Sequence, residues 1–326
     1  MRILTGLKPT DNQLHLGNYF GAIKPFIAMA DKFPKAEIFL FLANMHGFTQ
    51  LHDGEQLKRN GLNILKLYAA CGVDLNRYLI YNPADIPGHA QLNRVLTCLT
   101  TMGYMERMHS YKDALAKGKA GEISVGTFCY PILMASDIII YDADIVPVGN
   151  DQKQHVEFAR DIAGKFNNQY GQTFKIPDVH IQEEVAIVPG IDGRKMSKSY
   201  NNYIGLLDDE KTISKKVKQI STDTKTVEES KNPDECNVYK ILKLFLNEKE
   251  NKEIRARYAN GGLSYKEVKD YLYEKIIGFV SPIQSKYNQI TDEQIINLLA
   301  KNAKIVNEIA NKKIQEVYKK VGFRLD

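Results

Sequence analysis

Two short segments constrain this chain more than anything else in it: Leu14-His15-Leu16-Gly17-Asn18 near the start, and Gly193-Arg194-Lys195-Met196-Ser197-Lys198-Ser199 far downstream. The first follows the apolar run Met1–Leu7 and the turn-forming Pro9-Thr10-Asp11-Asn12, and it opens a run with helical spacing. A helix start presents unpaired N–H groups and the positive end of the helix dipole, so phosphate binds there readily. Gly17 leaves room for a nucleotide, while His15 and Asn18 supply hydrogen-bond donors. A purely capping role for His15 is the competing reading. In the second segment Lys195 and Lys198 stand three apart in a Gly/Ser-rich loop beside the hydroxyls of Ser197 and Ser199. Two ammonium groups so placed can follow charge onto a leaving pyrophosphate, and positioned charge is most of what phosphoryl-type chemistry needs. A chain carrying both segments is expected to grip one nucleoside triphosphate from opposite ends.

The pattern between them is strand–helix alternation. Arg2–Leu7 reads as a buried strand, 15–33 as a helix bent at Pro25, and 37–43 as a strand covered on both faces. Residues 54–70 and 89–102 are helical, 78–81 and 144–148 extended, and a helix runs from about Asn150 to Phe166. Helix-length crossovers between strands predict an α/β fold, a doubly wound parallel sheet of Rossmann-like form. The stretch 106–127 is polar, rich in Lys and Gly and long for a connection, so a mobile functional loop is expected there. Beyond Leu206 strand signals stop. Helices are expected over 208–220, 237–247, 264–280 and 291–320, with breaks at Lys231-Asn-Pro233, Asn260-Gly-Gly262 and Ser281-Pro282. A chain of 326 residues exceeds the usual reach of one core. The expected division is a catalytic domain over 1–205, including the 106–127 insertion, and an all-helical C-terminal domain over 206–326.

Lys195-Met-Ser-Lys-Ser199 with His15-Leu-Gly-Asn18 resembles the paired motifs of the class I aminoacyl-tRNA synthetases. Further stretches resemble the tryptophanyl members: Thr5-Gly-Leu-Lys-Pro-Thr10, Leu16-Gly-Asn-Tyr19, Tyr130-Pro-Ile-Leu-Met-Ala-Ser-Asp137, and Asp144-Ile-Val-Pro-Val-Gly-Asn-Asp-Gln-Lys-Gln-His-Val-Glu157. The likeness runs from Leu4 to about Gln284. It implies activation of L-tryptophan by Mg-ATP, then transfer of the tryptophanyl group to the 3′-terminal ribose of tRNA(Trp). It also implies a homodimer, with the anticodon read by the C-terminal helices.

Residue by residue, the resemblance makes Asp137 the acceptor of the indole N–H, the one polar handle of the tryptophan ring. Leu4, Met134, Val146 and Val148 become pocket walls, while His46, Tyr130 and Gln152 hold the amino acid's polar groups or close the pocket. Lys8, Pro9, Thr10, His15, Gly17 and Asn18 fall to ATP, as do Lys195, Met196, Ser197, Lys198 and Ser199. Gly149, Asn150 and Asp151 face ribose, Val188 and Met196 face adenine, and Lys112 reaches the phosphates. His15, Asn18, Lys195 and Lys198 carry the catalysis. Two departures stand out: Asn18 replaces the second His of the general motif, and Lys8 stands where a glutamine is common, beside one extra residue in the 10–13 turn. From the residues alone, Tyr130, Met134 and Asp137 share one helix face, so plain core packing explains Met134 equally well.

Composition narrows the alternatives. The net charge is +5, with most of the surplus beyond residue 206. That fits contact with RNA and fits a solvated lysine-rich surface equally well. Cys71, Cys98, Cys129 and Cys236 stand singly, without Cys-x-x-Cys or zinc spacing, so free thiols and no structural metal are expected. No long apolar run or leader-like start is present, which leads to the expectation of a cytosolic protein with no membrane partner. Tryptophan is absent, which suits an enzyme made when tryptophan is scarce and is explained equally well by a composition poor in Arg relative to Lys and rich in Ile and Asn. Tyrosyl-tRNA synthetase is the nearest rival, but Met134 is apolar where that family carries a glutamine. A small nucleotidyltransferase with a His-x-Gly-His loop lacks the second segment. A catalytically silent, synthetase-like RNA or partner binder would not need Lys195, Lys198 and Asp137.

Overall fold

Alternation along 37–42 divides one strand between two cores. Ile38, Leu40 and Leu42 belong to one buried cluster, Phe39 and Phe41 to another. Successive side chains on a strand point to opposite faces, so this continuous apolar run is what a sheet buried on both sides demands. The computed structural model describes residues 1–9, 13–116, 120–149, 152–181 and 188–325. Its strands are β1 (Arg2–Leu7), β2 (Glu37–Leu42), β3 (Leu79–Tyr81), β4 (Ile145–Val148) and β5 (Asp178–Ile181). All pair in parallel, in the order β3-β2-β1-β4-β5. The doubly wound α/β expectation holds, and β5 adds a strand that the sequence did not announce.

Register explains one glycine. Gly6 lies within β1 opposite Phe41, and a Cβ there would meet the Phe41 ring at 2.5 Å. Its missing side chain therefore makes space for a neighbouring ring inside the sheet.

Helices cover both faces. The expected helix over 15–33 is built in three pieces: Leu16–Asn18, a π-helical turn Tyr19–Ile23, and Lys24–Lys32. Pro25 falls in the first turn of the last piece, where a missing N–H costs little, and the irregularity appears as the wide turn before it. Gly54–Ala70 is helical as read. On the second face lie Gly88–Leu99, Val125–Ile139 and Lys153–Tyr170.

The stretch 106–127 corrects the expectation of a long loop. It contains a helix His109–Ala116, a short turn Ala120–Glu122 and the start of Val125–Ile139. No residue of His109–Ala116 is buried, so the apolar periodicity that reveals a helix is missing there.

Beyond residue 206 the described residues form helices and loops only. Glu210–Lys218, Asn237–Leu242, Glu248–Asn260 and Tyr265–Gln289 build onto the first core. The expected break at Ser281-Pro282 is absent: Tyr265–Gln289 runs through Pro282, held by buried Val280 and Ile283 on either side. The last helix, Asp292–Lys320, crosses to the second core through Val306, Ala310, Ile314 and Val317. On it, buried Asn302 donates from Nδ2 to the Ile80 carbonyl of β3 at 3.0 Å.

Candidate active site

β1 and β4 are neighbours in the sheet, yet the chain leaves them in opposite directions. Ligands of doubly wound sheets bind in the crevice this creates beyond the strands' carboxyl ends. A cavity of about 440 Å³ opens there, lined from β1 by Leu4 through Leu7 and then Lys8, and from β4 by Val146 through Val148 and then Gly149. Its size suits a small organic ligand. Tyr130, Met134 and Ile138 face it from the helix Val125–Ile139, whereas Asp137, expected on the same face as Tyr130 and Met134, does not line it. His46 and Gln152 also line it, so Leu4, His46, Tyr130, Met134, Val146, Val148 and Gln152 are brought together. Lys8 joins them and donates to Gln50 Oε1 at 3.0 Å.

Asp137 stands one layer behind this wall, 1% exposed. Its Oδ2 lies 2.7 Å from His46 Nε2 and its Oδ1 2.6 Å from His89 Nδ1. An ionised carboxylate only accepts, so both ring nitrogens carry hydrogens. On its other side, His89 Nε2 is 2.7 Å from the Tyr141 hydroxyl. Burial alone would raise the Asp137 pKa, but His89 and His46 bring it below the usual carboxylate range. The acid is therefore a paired anion. Tyr130 is also seated by a histidine: its hydroxyl is 2.9 Å from buried His155 Nε2.

The two signature segments meet, as their chemistry requires. His15 and Asn18 form a reciprocal cap, with Asn18 N–H donating to His15 Nδ1 and His15 N–H to Asn18 Oδ1. The capping role read as an alternative is thus real. The cap uses the Asn18 side-chain oxygen and leaves its amide N–H groups as donors, so capping and phosphate binding are compatible. Gly17 N–H donates to Met196 Sδ at 3.3 Å, and a Cβ on Gly17 would meet the His15 ring at 2.9 Å. Met196 and Val188 are joined in turn by a backbone hydrogen bond, and both are buried.

Asn202 holds the second segment in shape. Its Oδ1 accepts from Ser197 N–H at 2.8 Å, while Nδ2 donates to Asp192 Oδ1 at 2.7 Å and to the Lys195 carbonyl at 3.1 Å. Ser197 Oγ accepts from Ser199 N–H, capping the turn Lys198–Tyr200. Lys195 is exposed and Lys198 half-buried. Asn202, His89 and His155 are the residues that sequence reasoning passed over; each acts through a partner that only the folded chain supplies. Lys112 lies exposed on the helix His109–Ala116 and does not line the cavity. Thr10, Asn150 and Asp151 lie outside the described residues.

Comparison with known proteins extends these observations. The family model described as tRNA synthetases class I (W and Y) matches residues 1–281. A tryptophan–tRNA ligase of Campylobacter jejuni (strain RM1221) is 44% identical over 324 residues, covering 99% of this chain and 100% of that protein. One from Fusobacterium nucleatum is 41% identical over 324 residues, covering 98% of each. The crystal structure of tryptophanyl-tRNA synthetase from Campylobacter jejuni complexed with ADP and tryptophan superposes with a TM-score of 0.91 at 44% identity, covering 99% of this chain and 100% of that one. Likeness at this identity and coverage, over a fold whose signature segments touch, means that the chain belongs to the class I tRNA synthetases (W and Y), among the tryptophan–tRNA ligases.

Proposed function

We propose that the cavity between β1 and β4 receives L-tryptophan, with its indole N–H donating to the Asp137 carboxylate. The observation that carries this reading is the buried Asp137 anion, one helical turn from cavity-lining Met134 and hydrogen-bonded to cavity-lining His46. Each carboxylate oxygen has two lone pairs and spends one on a histidine, so an acceptor site remains on each. The chain is an aminoacyl-tRNA synthetase, and the reaction follows from its residues. The tryptophan carboxylate attacks the α-phosphorus of ATP, forming a C–O–P bond as the bond to the β-phosphate bridging oxygen breaks. Pyrophosphate leaves with the electron pair. The substrate is its own nucleophile, so the protein supplies donors and cations. His15, Gly17 and Asn18 serve at one end of the triphosphate, with Lys195, Ser197, Lys198 and Ser199 at the other. Mg2+ enters with ATP as part of the substrate, screening phosphate charge.

Lys8, Pro9, Thr10, Gly149, Asn150 and Asp151 complete the nucleotide site in this reading, with Val188 and Met196 at adenine and Lys112 at the phosphates. We treat 1–205 as the activating unit and 206–326 as the unit on the anticodon side of tRNA(Trp). A cytosolic homodimer completes the assignment, supported by exposed Met102, Leu115 and Val125, which a second copy could cover. Exchange of labelled pyrophosphate into ATP, run with each of the twenty amino acids and no tRNA, tests the whole reading. Tryptophan should stand alone. Tyrosine-driven exchange would transfer the chain to the tyrosine branch, and no exchange beside intact tRNA binding would make it a silent binder.

The Asn202 staple carries its own expectation. Loss of three hydrogen bonds at about 1 kcal/mol each loosens the loop that aims Lys195 and Lys198. Asn202→Ala should lower kcat of exchange by about 10- to 100-fold while the KM for tryptophan changes less than about threefold. Steady-state exchange kinetics decide this, and a rise in tryptophan KM at unchanged kcat would contradict it.

A further inference from the structure

We infer that His89 is a positioning residue for side-chain recognition: from beneath the pocket it fixes the orientation in which Asp137 offers an oxygen to the indole N–H. The inference rests on the assignment of Asp137 as indole acceptor and adds a residue that never meets the ligand. His89 is 0% exposed and does not line the cavity. Its ring lies between two aromatic neighbours, with centroids 5.9 Å from Tyr81 and 5.4 Å from Tyr141. It sits in the first turn of Gly88–Leu99, a helix packed on Val125–Ile139, which carries Asp137.

The geometry limits what this histidine can do. Nδ1 faces Asp137 Oδ1, and a carboxylate only accepts, so the ring donates from Nδ1; Nε2 lies against the Tyr141 hydroxyl. The carboxylate torsion of an aspartate is broad and roughly two-fold, so one donor alone does not fix it. Here His46 holds Oδ2 and His89 holds Oδ1, and the carboxylate plane is set by both. Each oxygen's second lone pair is then directed in the same way in every molecule. Removing the inner donor frees the plane to turn towards His46, and the acceptor offered to indole is no longer aimed.

A substrate pair isolates this effect. In β-(3-benzothienyl)alanine sulfur replaces the indole N–H at nearly the same size, so the ratio of kcat/KM for tryptophan to that for the analogue reports the Asp137 bond. The chain contains no tryptophan, so the protein adds no indole emission of its own to a parallel binding titration. Wild-type protein should prefer tryptophan by about 10- to 150-fold, the span of one hydrogen bond to a charged group. His89→Leu should cut that ratio about tenfold while the KM for ATP stays within twofold. His89→Asn, whose amide can still donate to Oδ1, should recover most of it. Equal losses for both substrates, with the ratio kept in His89→Leu, would mean that His89 only supports the fold and would overturn the inference. If the leucine variant does not fold, the nearly isosteric Tyr141→Phe decides: a ratio lowered about threefold supports the inference, and an unchanged ratio overturns it. No preference in the wild-type protein would instead remove Asp137 as the indole acceptor, and this inference with it.

Discussion

Replacing Asp137 by alanine is expected to lower kcat/KM for tryptophan in pyrophosphate exchange by at least about 10³-fold. One part of the loss is the bond to indole, about 1.5–3 kcal/mol for a charged acceptor. The rest comes from His46 and His89, whose N–H groups lose their shared partner inside the protein. Each stranded buried N–H costs about 1–3 kcal/mol, so the variant should also melt earlier. Asp137→Asn separates the two effects. It keeps the volume and one carbonyl acceptor but sets an amide N–H against an imidazole N–H, and a loss of about 10²-fold is expected. Exchange kinetics with tryptophan and phenylalanine, beside thermal melts, check both. Near-normal preference for tryptophan in folded Asp137→Ala would overturn the assignment.

The pairing also lowers an expectation. A site that strands a buried polar group can discriminate by about 10⁴–10⁵. Asp137 is already solvated by two imidazoles, so phenylalanine forfeits one bond without leaving a bare charge. Discrimination from this contact alone should stay near the 10- to 150-fold span of that bond. The same pairing sets a pH trend. The folded acid titrates below its ordinary range, so its contribution to stability is complete above that range and is lost as pH falls through the folded value.

The second large effect concerns the two lysines. Lys195→Ala and Lys198→Ala are each expected to reduce kcat for exchange by about 10²–10³-fold, the usual consequence of removing one positioned group that meets developing charge. The charge appears only as the bond to pyrophosphate breaks. The KM for tryptophan should therefore move less than about twofold. Arginine at either place keeps the charge but not the compact ammonium, so rescue should be partial. Single-turnover formation of the adenylate gives the rate directly. A loss that falls mainly on tryptophan affinity would remove these residues from the chemical step.

Legibility followed burial. β1 and Gly54–Ala70 were read to the residue because their apolar faces are strong and close-spaced. His109–Ala116 and Glu248–Asn260 escaped for the opposite reason: the first buries nothing and the second only Ile254 and Tyr258. Pro282 pointed to a break, but core packing on both sides carried the helix through it. In the site, the stripe Tyr130–Met134 was visible as spacing within one helix. His89, His155 and Asn202 were not. His89 meets its acid 48 positions away in sequence, and Asn202 binds both ends of a loop whose path only folding sets.

The reach of the final helix to β3 has a further consequence. A parallel sheet ends in a strand with one row of unpaired backbone groups, a template on which a second sheet can grow. Here the helix Asp292–Lys320 lies along that margin, and the Asn302 amide occupies the Ile80 carbonyl. This helix thus covers an edge on which a second sheet could otherwise pair.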